Sequence, residues 1–276
     1  MVKHILVPTD GSEFAMVGVR YAAGLAKHYG ATIHGLHVVD IKLLEGPFLR
    51  DISASLGTAP YVNYQGSVSL ILEERGKAAL AALRKVCAET GTPCETSQVT
   101  GIVNRAIIEK SGLADLIVMG RGGEHGQWLE GLAGSTASAV VRRADRPVLF
   151  ATWDKPGGER FMIAYDGSPH ASKALQSAAQ MTFDWGAILR VLSVGGERAT
   201  ECIRDAKGYL STHEIQVEYA TRQGDPSEII IAEAGEWKAD LLVMGAYGHT
   251  KVRELVVGST TAYAMNHAPC PLLLTR

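Results

Sequence analysis

Two copies of one unit make up this chain, and the internal repeat constrains its fold more than any other sequence feature. Residues 5–12 (ILVPTDGS) correspond to residues 162–168 (MIAYDGS), and both segments end in Asp-Gly-Ser. Residues 114–120 (ADLIVMG) correspond to residues 239–245 (ADLLVMG), and a Gly-Ser-Thr triplet follows each of them. The repeat predicts two related domains, which suits a chain of 276 residues.

The matching segments also locate the domain boundaries. The first copy carries an extra segment that we assign to residues 41–70, where Gly and Pro residues favour a loop with one short helix. The sequence TWDKPGGE at residues 152–159 has the composition of a linker. We therefore predict a first domain at 1–151, a linker at 152–159 and a second domain at 160–276.

Each copy alternates short aliphatic runs with amphipathic segments. In the first copy the runs at 4–7 and 33–39 flank a segment at 12–29 with a helical period, and a second helix is expected over 71–90. Apolar strands that alternate with helices favour a parallel sheet covered on both faces. The predicted fold is α/β, with two tandem doubly wound Rossmann-like domains that each have a five-stranded parallel sheet.

Composition excludes several classes of function. The net charge of −2 provides no basic excess for binding nucleic acid. No apolar run approaches the roughly 18 residues that span a membrane. The four cysteines form no CxxC pair and read as reduced, mostly buried thiols. Because a strand-like run begins at the N-terminus and leaves no room for a signal peptide, we expect a cytoplasmic location.

Ligands of such folds bind beyond the carboxyl ends of the strands. Strand one of each copy ends in Asp-Gly-Ser, and strand four ends in Gly120 or Gly245. Gly-Ser-Thr then opens the next helix, so backbone amides and hydroxyls can surround a phosphate there. Neither GxxxxGK[ST] nor a GxGxxG after strand one occurs, which argues against a Walker NTPase and a dinucleotide-dependent dehydrogenase.

These motifs resemble the universal stress protein family, and nearly all of the chain outside 41–70 and the linker shares the resemblance. The family's nucleotide signature is Gly-x2-Gly-x9-Gly-Ser/Thr, and Gly245, Gly248, Gly258 and Ser259 fit its spacing. Family members of this type bind ATP on domains related to adenine-nucleotide α-hydrolases. The resemblance implies that Asp166 and the backbone of Val194 bind adenosine, Met244 and Gly245 the ribose side, and Gly248, Gly258, Ser259 and Thr260 the phosphates.

The first copy offers a matching set of residues, with one departure from the signature. The set is Pro8, Thr9, Asp10, Val38, Met119, Gly120, Gly123, Gly134, Ser135 and Thr136. The spacing from Gly123 to Gly134 is one residue too long, so we expect a differently shaped phosphate loop. In the second copy Ala164 and Tyr165 replace the family's Pro-Thr, which keeps Asp166 but changes the packing beside it.

Several charged loop residues are candidates for further phosphate contacts. His125 and His249 stand in the two phosphate loops and Arg121 stands beside Gly120, while solvated surface side chains are the alternative for all three. Lys251 and Arg253 carry the same two interpretations. His34 and His37 are three apart on a strand and point to opposite faces, which argues against a joint metal site.

The resemblance implies a binding protein that regulates a stress response through its adenine nucleotide. The expected nucleotide is ATP, with ADP and AMP as alternatives and Mg²⁺ as a companion ion. No nucleophile with an oriented base is visible, so any ATP hydrolysis is expected to be slow. One alternative is an ATP-hydrolysing enzyme of the α-hydrolase group, whose substrate would contact Phe48, Tyr61 and Tyr64 in the 41–70 segment. Another is a nucleotide-free scaffold.

The resemblance also implies an assembly. Family members pair through the last strand of each domain, here around 148–150 and 272–274, and two chains would then form a four-domain homodimer. An unidentified protein partner is expected to respond to the nucleotide state.

Overall fold

A computed structural model describes residues 2–45, 61–121, 134–246 and 258–276 of the chain. In these ranges strands and helices alternate in both halves. The strands of the first half are β1 His4–Pro8, β2 Thr32–Asp40, β3 Cys94–Gly101, β4 Leu116–Gly120 and β5 Val148–Ala151. Those of the second half are β6 Arg160–Ala164, β7 Ile188–Val194, β8 Gln216–Arg222, β9 Leu241–Gly245 and β10 Leu272–Thr275.

The helices cover both faces of this strand array. The first half has α1 Glu13–Tyr29, α2 Ile41–Glu45, α3 Tyr61–Thr90, α4 Val103–Lys110 with a 3₁₀ turn at Ser111–Leu113, and α5 Ser135–Arg143. The second half has α6 Pro169–Trp185, α7 Glu197–Leu210, α8 Pro226–Glu236 and α9 Ser259–His267. Within the described ranges, no helix is long and apolar enough to cross a membrane.

All ten strands form one sheet in the order β3-β2-β1-β4-β5-β10-β9-β6-β7-β8. Each half contributes five parallel strands, which confirms the predicted tandem doubly wound α/β fold. The halves meet where β5 and β10 pair antiparallel, with Leu149 opposite Leu273. Every residue of these two strands is buried, so the junction lies inside the hydrophobic core. The boundaries at 151 and 160 stay a prediction.

The pairing of β5 with β10 agrees with the predicted pairing of domains through residues 148–150 and 272–274. The four-domain dimer of two chains stays a prediction. In the structure the two strands pair with each other in one chain, and β10 and β5 also have their parallel neighbours β9 and β4. Neither strand therefore offers a free edge to a second chain. A strand-to-strand dimer would have to use β3 or β8, which form the two outer edges of the sheet.

The same local signals begin and end the first helix of both halves. Ser12 Oγ accepts the Ala15 amide at 3.2 Å, and Ser168 Oγ accepts the Ala171 amide at 3.1 Å. Gly30 and Gly186 end these helices with φ of 60° and 63°, a conformation that suits glycine. The repeat in sequence is thus a repeat in capping chemistry.

The 41–70 segment contains more helix than expected. Helix α2 occupies Ile41–Glu45, and α3 begins at Tyr61, ten residues before the predicted start at Ile71. Asn63 and Gly66 were interpreted as loop residues, but a single glycine inside a helix costs only about 1 kcal/mol and is tolerated. Phe48 and the side chains of Tyr61 and Tyr64 lie outside the described residues.

Candidate functional site

The predicted site residues lie at the carboxyl edge of the sheet, where strand order reverses. Strand β1 lies between β2 and β4, and β6 lies between β7 and β9, so each half has one such switch point. The described residues of the two sites occupy the ends of these strands and the starts of α5 and α9. They are Pro8, Thr9, Asp10, Val38, Met119, Gly120, Gly134, Ser135 and Thr136 in the first half, and Ala164, Tyr165, Asp166, Val194, Met244, Gly245, Gly258, Ser259 and Thr260 in the second.

A tight turn follows β1 and exposes a carboxylate. The Thr9 amide extends the β1–β2 ladder by donating to Leu36 O at 2.9 Å. The Ser12 amide donates to Asp10 Oδ1 at 2.9 Å, and Gly11 adopts φ 80°, which few other residues tolerate. Asp10 is exposed. The turn thus fixes the carboxylate next to the start of α1.

The second half repeats this turn in spite of its different sequence. The Tyr165 amide donates to Leu192 O at 2.8 Å, and the Ser168 amide donates to Asp166 Oδ1 at 3.0 Å. Gly167 has φ 75°. The Tyr165 side chain is buried in the core. Replacement of the family's Pro-Thr by Ala164 and Tyr165 therefore leaves the backbone of the turn unchanged.

A buried histidine supports the turn after β1, a position that the sequence alone does not indicate. His37 on β2 places Nδ1 2.9 Å from Thr9 O, and since a carbonyl only accepts, the ring donates from Nδ1. Gly76 on α3 leaves room for the ring, because a Cβ there would lie 2.8 Å from His37 Nε2. Ser193 is the counterpart in the second half. The sequence signal for this contact was the presence of a polar residue, His37, within the largely apolar strand β2.

The glycines that end the fourth strand of each half are required by packing. A Cβ on Gly120 would overlap the carbonyl oxygen of Phe14, and one on Gly245 would lie 2.7 Å from the Ala171 amide nitrogen. The first helix of each half crosses the strand end at this distance. Gly120 and Gly245 therefore need no ligand to explain them.

The glycines before α5 and α9 have a different environment. Among the described residues, a Cβ on Gly134 would meet nothing within 4 Å, and one on Gly258 would meet only Thr261 Oγ1 at 3.9 Å. No described side chain caps either helix start, whereas α1, α6 and α8 are capped by Ser or Asp. Within the described ranges the first amides of α5 and α9 thus have no side-chain acceptor, and the helix dipole favours negative charge there.

One hydrogen bond brings the phosphate-site helix of the second half to the end of its strand. Thr261 Oγ1, in the first turn of α9, donates to Ala246 O at 3.1 Å. Ala246 follows Gly245, so the uncapped amides of α9 lie beside the strand end. In the first half the positions that correspond to Thr261 and Ala246 are Ala137 and Arg121. Because Ala137 has no hydroxyl, this bond cannot form there.

The rest of both phosphate loops lies outside the described residues. This applies to Gly123 and Gly248, to His125 and His249, and to Lys251 and Arg253. Their roles stay predictions.

The side chain of Arg121 points to the other half of the chain. Its guanidinium donates to Asn266 O at 2.8 Å and to Ala268 O, both at the C-terminal end of α9 in the other half. Within the described residues Arg121 is thus a contact between the halves. Neither sequence interpretation of Arg121, as a phosphate contact or as a surface side chain, included this contact, because both considered only its sequence neighbours.

A cavity of about 320 Å³ lies at the opposite, amino edge of the sheet. It is lined by Val2, Tyr29, Asp115, Gln180 and Asp184 among others. The Asp115 carboxylate already accepts the amides of Lys3 and His4 at 2.7 and 2.9 Å. Among the described residues, no group of three His, Cys, Asp or Glu side chains could hold a metal ion.

Comparison with known proteins identifies the family of the chain. The model of the universal stress protein family matches residues 1–151 and 196–276. The chain belongs to the universal stress protein family. A universal stress protein of Synechocystis sp. is 28% identical over 289 residues, which covers 100% of both chains. One from Methanocaldococcus jannaschii is 33% identical over 152 residues, 54% of this chain and 81% of the relative.

A solved structure shows the same tandem fold. A universal stress protein from Archaeoglobus fulgidus superposes with a TM-score of 0.79 at 22% identity, and the match covers 99% of this chain and 98% of the other. In the present universal stress protein the two halves nevertheless differ at the site. The second half has the signature spacing and the Thr261–Ala246 bond, and the first has neither.

Proposed function

We propose that this universal stress protein binds an adenine nucleotide, ATP in particular, at the carboxyl edge of each half and acts as a nucleotide-dependent regulator. The observation that carries the proposal is the uncapped start of α9, held beside the end of β9 by the Thr261–Ala246 bond. Such a helix start offers several N–H donors and a positive partial charge to a phosphate group. The uncapped start of α5 offers the same donors in the first half.

The residue roles in the second half follow from the family signature. Asp166 and the backbone of Val194 would bind adenosine, and Met244 and Gly245 would face the ribose. Gly248, Gly258, Ser259 and Thr260 would bind the phosphates. Exposure of Asp166 and Ser259 at the surface of the sheet edge supports these roles, since both side chains can reach a ligand.

The first half would use its corresponding residues in the same way. Asp10 and Val38 would bind adenosine, and Met119 and Gly120 would face the ribose. Gly134, Ser135 and Thr136 would bind the phosphates together with Gly123. Pro8 and Thr9 shape the turn that presents Asp10. We expect weaker binding in this half, because the loop from Gly123 to Gly134 is longer and Ala137 cannot form the hydrogen bond that Thr261 makes in the second half.

Regulation is proposed over fast catalysis because the hydroxyls at the strand ends already have structural partners. Ser12 Oγ and Ser168 Oγ accept helix amides, and Asp10 Oδ1 and Asp166 Oδ1 accept turn amides. These contacts suit a fixed recognition surface. Mg²⁺ would enter with ATP and bind chiefly through its phosphates. We place the protein in the cytoplasm, where a partner protein would respond to its nucleotide state during stress.

Native mass spectrometry of the full chain, with release and identification of bound nucleotide, tests the proposal. We expect up to two adenine nucleotides per chain after addition of ATP and Mg²⁺. Gly258→Val should remove one of them, because the new side chain occupies the open space in front of α9. Gly112→Val is the matched control, since a Cβ there also meets nothing within 4 Å but lies away from both sites.

The outcomes separate the alternatives. Loss of one nucleotide in Gly258→Val but not in Gly112→Val supports the proposed site. If neither the unmodified chain nor Gly112→Val carries a nucleotide after addition of ATP and Mg²⁺, the proposal is contradicted and a nucleotide-free scaffold is favoured. Stoichiometric turnover of ATP with a co-substrate would instead favour a hydrolytic enzyme.

A further inference from the structure

Two arginines connect the halves in opposite directions. Arg121 follows Gly120, the last residue of β4, and its Nη1 donates to Asn266 O at 2.8 Å. Its Nη2 donates to Ala268 O. Both acceptors lie at the end of α9, the helix that starts with Ser259. The end of a first-half strand is therefore bonded to the far end of the second-half helix.

The reverse connection uses the C-terminal residue. Arg276 follows Thr275, the last residue of β10, which pairs with Gly245 at the end of β9. Arg276 Nη1 donates to Arg142 O at 2.9 Å. Arg142 lies in the last turn of α5, the helix that starts with Ser135. The end of a second-half strand is thus bonded to the far end of the first-half helix.

Each arginine therefore leaves a strand end at one candidate site and reaches the helix that begins at the other. The last carbonyls of a helix have no partners within the helix, and a cation at that end also interacts favourably with its dipole. Helices α5 and α9 each have nine residues, so about 13 Å separates the end that an arginine contacts from the end at the candidate phosphate site. A rigid helix of this length carries such a displacement from one site to the other.

We propose that Arg121 and Arg276 couple the two nucleotide sites, so that nucleotide bound in one half raises the affinity of the other half. This inference rests on the proposed function. A nucleotide that contacts Gly120 would fix the backbone next to Arg121, and Arg121 would hold α9 in place for the second nucleotide. Arg276 and α5 would act in the other direction, as the reciprocity of linked binding requires.

The guanidinium geometry is essential to this role. Arg121 reaches two carbonyls with two different nitrogen atoms, which the single ammonium of a lysine cannot reproduce. Arg121 and Arg276 are positioning residues, since each acts through a helix. Arg146 provides a matched control: its Nη2 donates to Gly112 O at 2.8 Å, a bond between an arginine and a carbonyl within the first half.

Isothermal titration of the full chain with ATP and Mg²⁺ measures the coupling. Gly258→Val gives the association constant of the first-half site alone, and Gly134→Val gives that of the second-half site. The overall two-site constant of the unmodified chain, divided by the product of these two constants, is the coupling factor. We expect a factor of roughly 5 or more in the unmodified chain.

The arginine variants then locate the coupling. In Arg121→Gln with Arg276→Gln, the factor should fall to about 1, while each single-site constant changes less than about twofold. Arg146→Gln should keep the original factor. Thermal unfolding of every variant checks that it is folded. Arg121→Lys keeps the charge, and should also lower the factor if the two-carbonyl contact is what matters.

Each result decides a different point. A factor of 1 in the unmodified chain with two occupied sites overturns the coupling and leaves nucleotide binding intact. A factor above 1 that survives both arginine substitutions overturns the arginine route. Absence of any ATP binding overturns the coupling together with the proposed function.

Discussion

The hydroxyl of Thr261 donates to the carbonyl oxygen of Ala246 at 3.1 Å, and this bond joins the first turn of α9 to the residue after β9. Thr261 is buried, so water cannot replace the bond at low cost. Ala137 occupies the corresponding position in α5 and has no hydroxyl. The two halves thus share a fold but hold their candidate phosphate helices differently.

We expect Thr261→Val to destabilise the protein and weaken the second-half site. The valine keeps the shape of the side chain but leaves the buried Ala246 carbonyl without this donor, which costs about 1 to 3 kcal/mol. Urea denaturation measures the loss in the free energy of unfolding. Thr261→Ser retains the hydroxyl and should lose much less. Equal losses in the two variants would mean that the hydrogen bond contributes little.

Substitution by alanine should affect stability differently at Gly120, which ends β4, and at Gly134, which precedes α5. Gly120→Ala places a Cβ against the Phe14 carbonyl and should cost about 3 kcal/mol or more, because backbone must move. In Gly134→Ala the new Cβ meets no described atom within 4 Å, so the substitution should be neutral or stabilise by up to about 1 kcal/mol. Chemical denaturation of the two single variants gives both values. Similar stability of the two variants would contradict the packing explanation for Gly120.

The sequence predicted the strand-and-helix alternation because each element has a local signal. Apolar runs, the caps Ser12 and Ser168, and the helix-ending Gly30 and Gly186 all act within a few residues. Local chemistry also explains why the predicted strand boundaries fell within a few residues of the observed ones.

Contacts between the halves could not be predicted in this way. Arg121 stands beside Gly120 in sequence, but its partners Asn266 and Ala268 belong to the other half. The pairing of β5 with β10 was expected from the family resemblance alone, since no local signal in the sequence indicates it. His37 was missed because its partner, Thr9 O, becomes a neighbour only once β1 and β2 pair.

Asp115 should make stability depend on pH in the acid range. Burial alone raises the pKa of its carboxyl, but the amides of Lys3 and His4 donate to it and lower the pKa overall. A lowered folded-state pKa means that the carboxylate stabilises the fold above its unfolded pKa of about 3.9 and loses this effect as pH falls through the folded value.

The matched variant for this test is Asp115→Asn, which keeps the shape but removes the charge. We expect the stability difference between the unmodified chain and the variant to be largest above about pH 4, and to shrink as pH falls below it. Urea denaturation at about six pH values between roughly 2.5 and 7 measures this difference. A difference that grows toward low pH would contradict the assignment.

Thiol labelling should distinguish Cys94 from the other three cysteines. Cys87, Cys202 and Cys270 are buried, and Cys94 is half-buried. Burial, with a contact to Cys94, raises the pKa of Cys87 to about 12, and burial raises that of Cys270 to about 12. Because the thiolate is the reactive form, we expect an aromatic disulfide reagent at about pH 8 to label Cys94 first, and the buried Cys87 and Cys270 much more slowly.

The control variant Cys94→Ser should abolish the fast phase of labelling in the native protein. In urea all four cysteines of the unmodified chain should react, because unfolding exposes their thiols to the reagent. Mass spectrometry of the labelled peptides assigns each phase. Fast labelling of Cys87 or Cys270 in the native state would show that the end of α3 or the start of β10 opens far more readily than its packing predicts.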